Sequence, residues 1–172
     1  MTETIWQRLE HGGRLAVPLL SAVVCVLLGS IVWPLPYLGS VAPPLALMAI
    51  YYWALHRPDL LRPGMVFVIG LLHDVVNFLP LGLSAMLFVA AHQLIYRNRR
   101  FFVGHSFLMM WSGFILTVTG TMFLQWLLMC LIRWQMIPVL PIMMQMGFAI
   151  VFFPLPCWLL IALQRLTLNV EH

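Results

Sequence analysis

The chain has 172 residues, of which 63% are hydrophobic and only 8% are charged, and nine basic against five acidic side chains give a net charge of +4. A soluble domain is about 45–50% apolar and about 25% charged, because charges must cover its surface in water. These proportions exclude soluble enzymes, disordered tails and nucleic-acid-binding domains. The length allows one compact membrane domain and no second folded unit.

All nine basic residues are arginines, and their positions divide the chain into long apolar intervals. Residues 15–56, 101–132 and 134–164 contain no Asp, Glu, Lys or Arg. A helix that crosses a bilayer needs roughly 20 apolar residues. The first interval therefore holds two spans, separated by the proline-containing stretch 33–37, and each of the other two holds one span.

The interval 63–96 is ambiguous, because it suffices for one long span or two short ones. Leu79-Pro80-Leu81-Gly82 in its centre predicts a turn, since Pro stops a helix and Gly permits positive φ. With six spans and a cytoplasmic N-terminus, eight arginines face the cytoplasm and only Arg133 lies outside. Five spans would export the cluster Arg97–Arg100, against the positive-inside rule. The sequence thus predicts six spans and two cytoplasmic termini.

The predicted fold class is an all-α integral membrane protein, with one six-helix domain over residues 15–165. A cytoplasmic segment (1–14) precedes it and a cytoplasmic tail (166–172) follows it. The predicted spans are approximately residues 15–33, 37–55, 64–79, 82–96, 105–132 and 138–163. The third and fourth, about 15 residues each, are shorter than a ~30 Å hydrocarbon core, so the bilayer thins there or neighbours bury the hairpin. Pro154 and Pro156 predict a kink in the last span.

Asp74 is the only acidic residue inside a predicted span. A carboxylate at membrane depth costs at least about 2.5–3.5 kcal/mol on insertion scales, so it needs a partner, water or a proton. Gly70, Asp74 and Asn77 share one helical face, and His73 lies beside it. The topology places Gln125 and Gln145 in the same outer half of the membrane, with Arg133 at its boundary.

Two interpretations of this polar layer remain open, and we favour the second. In the first, Asp74, His73, Asn77 and Arg133 line a periplasm-facing cavity or docking site. In the second, they form interhelical hydrogen bonds that hold the short hairpin in the bundle. Catalysis is not predicted, because no Ser or Cys nucleophile has a matching spacing, and no helix carries a metal-ligand pattern. We expect no cofactor.

The fifth predicted helix carries small residues at a helical period: Gly113, Thr117 and Thr121. Small residues at this spacing let helix backbones approach closely. We predict that this face packs against another helix.

An aromatic segment (Tyr51-Tyr52-Trp53-Ala54-Leu55) is followed along the chain by Arg57-Pro58, by Gly70-Leu-Leu-His-Asp74 and by Pro80-Leu-Gly82. On these motifs, residues 43–100 resemble the rod shape-determining protein MreD family. The matching block covers about a third of the chain, and Asp74 and Gly82 are the positions carried over from the family signature. His73 stands where an apolar residue is expected.

The resemblance implies a non-catalytic scaffold or regulator of the bacterial elongation machinery, needed for cell shape and lateral peptidoglycan synthesis. It implies the partners MreC, RodA, a class B penicillin-binding transpeptidase and the cytoskeletal protein MreB. It also implies a fold similar to the six-helix substrate-binding subunits of energy-coupling-factor transporters. The alternative function is therefore a small-molecule-binding subunit of a vitamin-type importer.

Overall fold

The computed structural model describes residues 5–30, 43–102 and 107–168. These ranges contain seven α-helices and no strand, which confirms the all-helical class. The helices are α1 (Ile5–Gly29), α2 (Leu45–His56), α3 (Pro63–Val76), α4 (Leu83–Phe102), α5 (Phe107–Arg133), α6 (Leu140–Phe152) and α7 (Pro154–Leu168).

Several helix ends differ from the predicted spans. α1 begins at Ile5, so the segment before the first predicted span is already helical. α4 has 20 residues and continues through the arginine cluster to Phe102, beyond the predicted end at residue 96. The predicted boundary at 33–37, the start of the second span and the last four residues of the tail lie outside the described residues.

α2 is the central helix of the bundle. Ten consecutive side chains, Ala46–Leu55, are buried, and the helix packs against α1, α4 and α7. A helix that is apolar on every side lowers its free energy by burying all faces. The short α2 therefore forms the core around which the longer helices are arranged.

Aromatic packing joins α2 to the C-terminal helices. The ring of Tyr51 meets those of Phe114 and Phe153 edge-on, at centroid distances of 5.3 and 5.7 Å, and Phe114 stacks on Phe153 at 4.0 Å. The Tyr51 hydroxyl donates to the Met110 carbonyl at 2.7 Å. The buried ring thus keeps a partner for its one polar atom, as a phenol in an apolar core requires.

The break between α6 and α7 lies at Phe153, where the two helix axes bend by 48°. Pro154 has no N–H group, so the Ile150 carbonyl loses its usual i+4 donor. The Trp111 indole N–H of α5 donates to this carbonyl at 3.1 Å. The predicted kink is present, and a side chain from another helix satisfies the acceptor that the proline leaves open.

Among the described residues, α5 alone is long and apolar enough to cross a membrane as one unbroken helix. The pair α6–α7 passes the same test when the bent helices are taken together. Val17–Gly29, Leu45–His56 and Pro63–Val76 are shorter apolar helical segments. Much of the outer surface of α5 is apolar, including the exposed side chains of Leu116, Phe123 and Leu131.

Candidate functional site at the turn between α3 and α4

The C-terminus of α3 is closed by its own backbone. The Leu79 N–H donates to the Asp74 carbonyl at 2.9 Å, and the Phe78 N–H reaches the Val75 carbonyl at 3.4 Å. This pair of contacts is a Schellman motif, in which the residue after the helix adopts left-handed backbone angles. Phe78 has that conformation, with φ of 54°. The motif directs the chain back toward the start of α4.

The Asp74 side chain caps the N-terminus of α4 from the neighbouring helix. It is 0% exposed. Its Oδ2 accepts the Gly82 N–H at 2.9 Å, and its Oδ1 accepts the Ser84 N–H at 3.0 Å. The first N–H groups of a helix lack intrahelical partners and attract a negative charge. Gly82, at the N-cap position, has no side chain for this role, and Asp74 supplies it.

Two glycines allow the helices to meet in this way. A Cβ on Gly70 would lie 2.3 Å from the Ala85 Cα, so the α3 and α4 backbones approach too closely for any side chain there. Gly82 has φ of 94°, a conformation that other residues adopt only with strain. Gly70 therefore allows the close packing of α3 on α4, and Gly82 allows the backbone conformation at which the turn ends and α4 begins.

Polar side chains beside Asp74 extend the contacts to α4 and α1. His73 Nδ1 lies 3.1 Å from the Ser84 hydroxyl oxygen. The Asn77 amide donates to the His73 carbonyl at 2.9 Å and to the Ser30 hydroxyl at 3.3 Å. The turn is thus tied to the end of α1 as well as to α4.

A cavity of about 190 Å³ adjoins these residues. His73 and Asn77 form part of its wall, together with Gln125 of α5 and Gln145 of α6. Four of the six polar residues that the sequence placed at a similar depth therefore lie around one cavity, and two do not. Asp74 is turned into the cap of α4, and Arg133 is exposed at the end of α5 and does not line the cavity.

The small residues of α5 lie on a buried face. Gly113, Thr117 and Thr121 are all buried. The Thr117 hydroxyl donates to the Gly113 carbonyl at 2.8 Å, and the Thr121 hydroxyl donates to the Thr117 carbonyl at 2.7 Å. Both hydroxyls are satisfied within their own helix, so this face presents a non-polar surface to its neighbours.

Sequence reasoning missed Ser84 and Ala85. The Asp74 partners are backbone amides, which leave no side-chain signature in the sequence. A usable signal was the Gly82-Leu-Ser84 start of α4, eight to ten residues after an acid, because Gly at an N-cap leaves the helix amides without a side-chain acceptor.

The chemistry available at this turn is hydrogen bonding and helix capping. Within the described part of the chain, no group of three His, Cys, Asp or Glu side chains is arranged to hold a metal ion. The Asp74 carboxylate is already occupied by amide donors, and its burial removes it from any substrate. The geometry supports a structural role for the turn.

The described residues thus form an all-helical bundle with many apolar side chains on its exterior and a buried Asp74 whose two oxygens accept backbone N–H groups. The family model described as "rod shape-determining protein MreD" matches residues 12–165. The chain belongs to this family, which confirms the resemblance found in residues 43–100 and extends it over nearly the whole chain. No curated protein and no solved structure matches the chain.

Family membership assigns a role in rod shape determination. The family consists of membrane-associated structural or scaffold proteins and is not known as an enzyme family.

Proposed function

We propose that this protein is a non-catalytic scaffold of the bacterial elongation machinery that regulates lateral peptidoglycan synthesis by binding protein partners in the inner membrane. The partners are MreC, RodA and a class B penicillin-binding transpeptidase, with MreB on the cytoplasmic side. The observation that carries this proposal is the state of Asp74. The one acid in the predicted spans accepts backbone N–H groups and holds two helices together. It is therefore not available for catalysis, as expected for a scaffold.

We propose six membrane-crossing segments, with α6 and α7 as one bent segment. The cavity supports this count, because its wall includes the C-terminal parts of α1 and α3 and the first residues of α2. Helices that alternate in direction bring these ends to one side of the membrane. Such an arrangement is similar to the six-helix substrate-binding subunits of energy-coupling-factor transporters, and we propose that likeness too.

The arginines support the proposed orientation. Arg62 precedes α3, and the cluster Arg97–Arg100 lies in the last turns of the antiparallel α4. Both therefore lie at the end of the α3–α4 hairpin opposite the turn. The positive-inside rule places this arginine end in the cytoplasm and the cavity in the outer half of the membrane.

The exposed surface of α5 and α6 is the proposed contact for a single-span partner helix. A Cβ added at Gly120 or Gly147 would meet no atom within 4 Å, so both glycines open onto the surface. Glycine on an apolar helix surface allows a second helix to approach closely, which is how helices associate in lipid. We propose that the MreC transmembrane helix binds laterally here.

Site-specific crosslinking tests this contact. A photoreactive amino acid at Leu116 or Leu127, both exposed on α5, should form a covalent adduct with MreC in cells. The same amino acid at Leu94, exposed on α4, is the matched control and should give much less adduct. Crosslinking to lipid alone from every exposed position on α3 to α7, together with turnover of any substrate, contradicts the scaffold proposal.

The importer alternative has one observation in its favour, the cavity with polar walls. The family match favours the cell-shape function. Purification from native membranes separates the two, because a scaffold brings down MreC and a transpeptidase, whereas an importer subunit brings down an ATPase and a vitamin.

A further inference from the structure

The cavity beside the α3–α4 turn has unused hydrogen-bonding capacity. His73 Nδ1 is engaged with Ser84, and within the described residues Nε2 has no partner. Both Asn77 contacts use its amide nitrogen, which leaves the side-chain carbonyl without a donor in the described part of the chain. Gln125 lines the cavity and makes no hydrogen bond to any described residue.

The remaining wall is apolar. Cys25 and Val26 of α1 form one side, and Leu45 and Ala46 of α2 form another. This mixture of apolar surface with a few polar groups is typical of small-molecule sites, although about 190 Å³ lies below the usual range of roughly 300–1,000 Å³. The volume therefore suits a single ring or a comparably small molecule.

The electrostatics of the wall select an uncharged ligand. None of the described residues that line the cavity is Asp, Glu, Lys or Arg. Asp74 is adjacent in sequence, but both of its oxygens face the amides of α4. Moving a charged molecule out of water into this wall would cost free energy that no opposite charge recovers.

We propose that this cavity binds a small, uncharged, polar molecule that carries both hydrogen-bond donors and acceptors. Asn77 offers an acceptor, Gln125 offers both kinds of group, and His73 Nε2 is a donor or acceptor according to its tautomer. The apolar side formed by Cys25 and Leu45 covers the non-polar face of the ligand. The proposal rests on the proposed function only in that the cavity then opens toward the outer half of the membrane.

N-acetylglucosamine is a suitable probe, because it is one uncharged ring with an amide and several hydroxyl groups. Glucosamine in its protonated form is the matched control, since it differs mainly in replacing the amide by a charged amine. Saturation-transfer NMR on the purified full chain in detergent measures binding directly. N-acetylglucosamine should give a saturable signal in the millimolar range, and protonated glucosamine should give none.

Two variants locate the binding. Gln125→Leu should raise the Kd of N-acetylglucosamine about fivefold, the effect of losing one neutral hydrogen bond. Gln93→Leu makes the same change on the exposed surface of α4 and should leave the Kd unchanged. Circular dichroism and elution volume establish that both variants fold.

Three results would overturn the proposal: no saturable signal, equal binding of protonated glucosamine, or an unchanged Kd in Gln125→Leu. A cavity filled only by water gives the first result. The measurement needs no partner protein, so its failure is distinguishable from failure of the scaffold proposal. If crosslinking to MreC succeeds and N-acetylglucosamine does not bind, only the ligand proposal falls.

Discussion

At the scale of single residues, the main feature is a carboxylate that is removed from water and retained by backbone amides. Asp74 reaches across from α3 to cap α4, where it accepts the Gly82 and Ser84 N–H groups at the start of a helix to which it does not belong. The negative charge also lies at the positive end of the α4 dipole. These two effects offset the cost of placing an acid among apolar residues.

Replacing Asp74 with Leu should impair function and folding more than replacing any other polar residue in the predicted spans. Leucine leaves the Gly82 and Ser84 N–H groups without their acceptor, at about 1–3 kcal/mol for the buried Ser84 N–H and less for the half-buried Gly82 N–H. A cell-shape complementation assay and thermal stability in detergent measure the two effects. Wild-type behaviour of Asp74→Leu in both assays would contradict this role of Asp74.

Asp74→Asn should be intermediate. Without the structure a mild effect would be expected, because an amide keeps some hydrogen bonding. In the structure both carboxylate oxygens accept N–H groups, and asparagine offers only one oxygen, so its NH₂ group would face a donor. Asp59→Asn is the control, since Asp59 is exposed between α2 and α3. Equal stability of the two Asn variants would contradict this assignment.

Gly70→Ala should destabilise the hairpin strongly. The new Cβ would lie 2.3 Å from the Ala85 Cα, so the two backbones must separate, at a cost of about 1–3 kcal/mol or more. Gly64→Ala is the matched control on the same helix, because its Cβ meets nothing within 4 Å. Alanine there should be neutral or should stabilise by up to about 1 kcal/mol through helix propensity. Thermal unfolding of the two variants measures the contrast.

Part of this site could be predicted from the sequence. The shared face of Gly70, Asp74 and Asn77 and the turn near Gly82 follow from helical period and turn chemistry. The partners of Asp74 could not be predicted, because a side chain of the opposite charge is the natural expectation for a buried acid. Arg133 was a candidate partner because the topology placed it at a similar depth, but in the structure it is exposed at the end of α5. Depth along the membrane normal gives no information on direction around the helix axis.

At the scale of helices, the break between α6 and α7 shows how a proline is accommodated. The kink could be predicted from Pro154, since the missing N–H is a property of the residue. The donor that replaces it could not be predicted, because Trp111 is 39 positions away from Ile150 in the chain. Long-range partners of this kind depend on how α5 packs beside α6.

Trp111→Phe should destabilise the protein by about 1–3 kcal/mol, because the Ile150 carbonyl then lacks a donor in the bundle. In a Pro154→Ala background the new backbone N–H can serve that carbonyl, so the same change should cost less. A double-mutant cycle on thermal stability measures this coupling. Additive effects of the two substitutions would show that the indole contact contributes nothing to the break.

At the scale of the whole molecule, helix direction divides the protein into two ends with different chemistry. The cavity and the α3–α4 turn lie at one end, and Arg62 and Arg97–Arg100 lie at the other. The charge-free intervals and the arginine positions in the sequence predict the same two ends. The central position of α2 could not be predicted, because α3, α5 and α6 are equally apolar in sequence, and only packing distinguishes them.

Cysteine labelling tests the proposed orientation. In a variant that lacks the three native cysteines, a Cys at Gly39, between α1 and α2 in the sequence, should react with a membrane-impermeant maleimide added to spheroplasts. A Cys at Asn98, within the arginine cluster, should react only after the membrane is opened. The reversed pattern would invert the topology and place the cavity on the cytoplasmic side.

The locality of the Asp74 contacts bears on how the chain enters the membrane. Both amide partners of its side chain lie within ten residues of it along the chain, and α3 and α4 pack on each other more extensively than any other pair. The Asp74 side chain therefore has its hydrogen-bond donors as soon as the first turn of α4 has formed. In the proposed six-span topology, the hairpin can enter the membrane as one preassembled unit, with its one intramembrane carboxylate already hydrogen-bonded, before α5 has been synthesised.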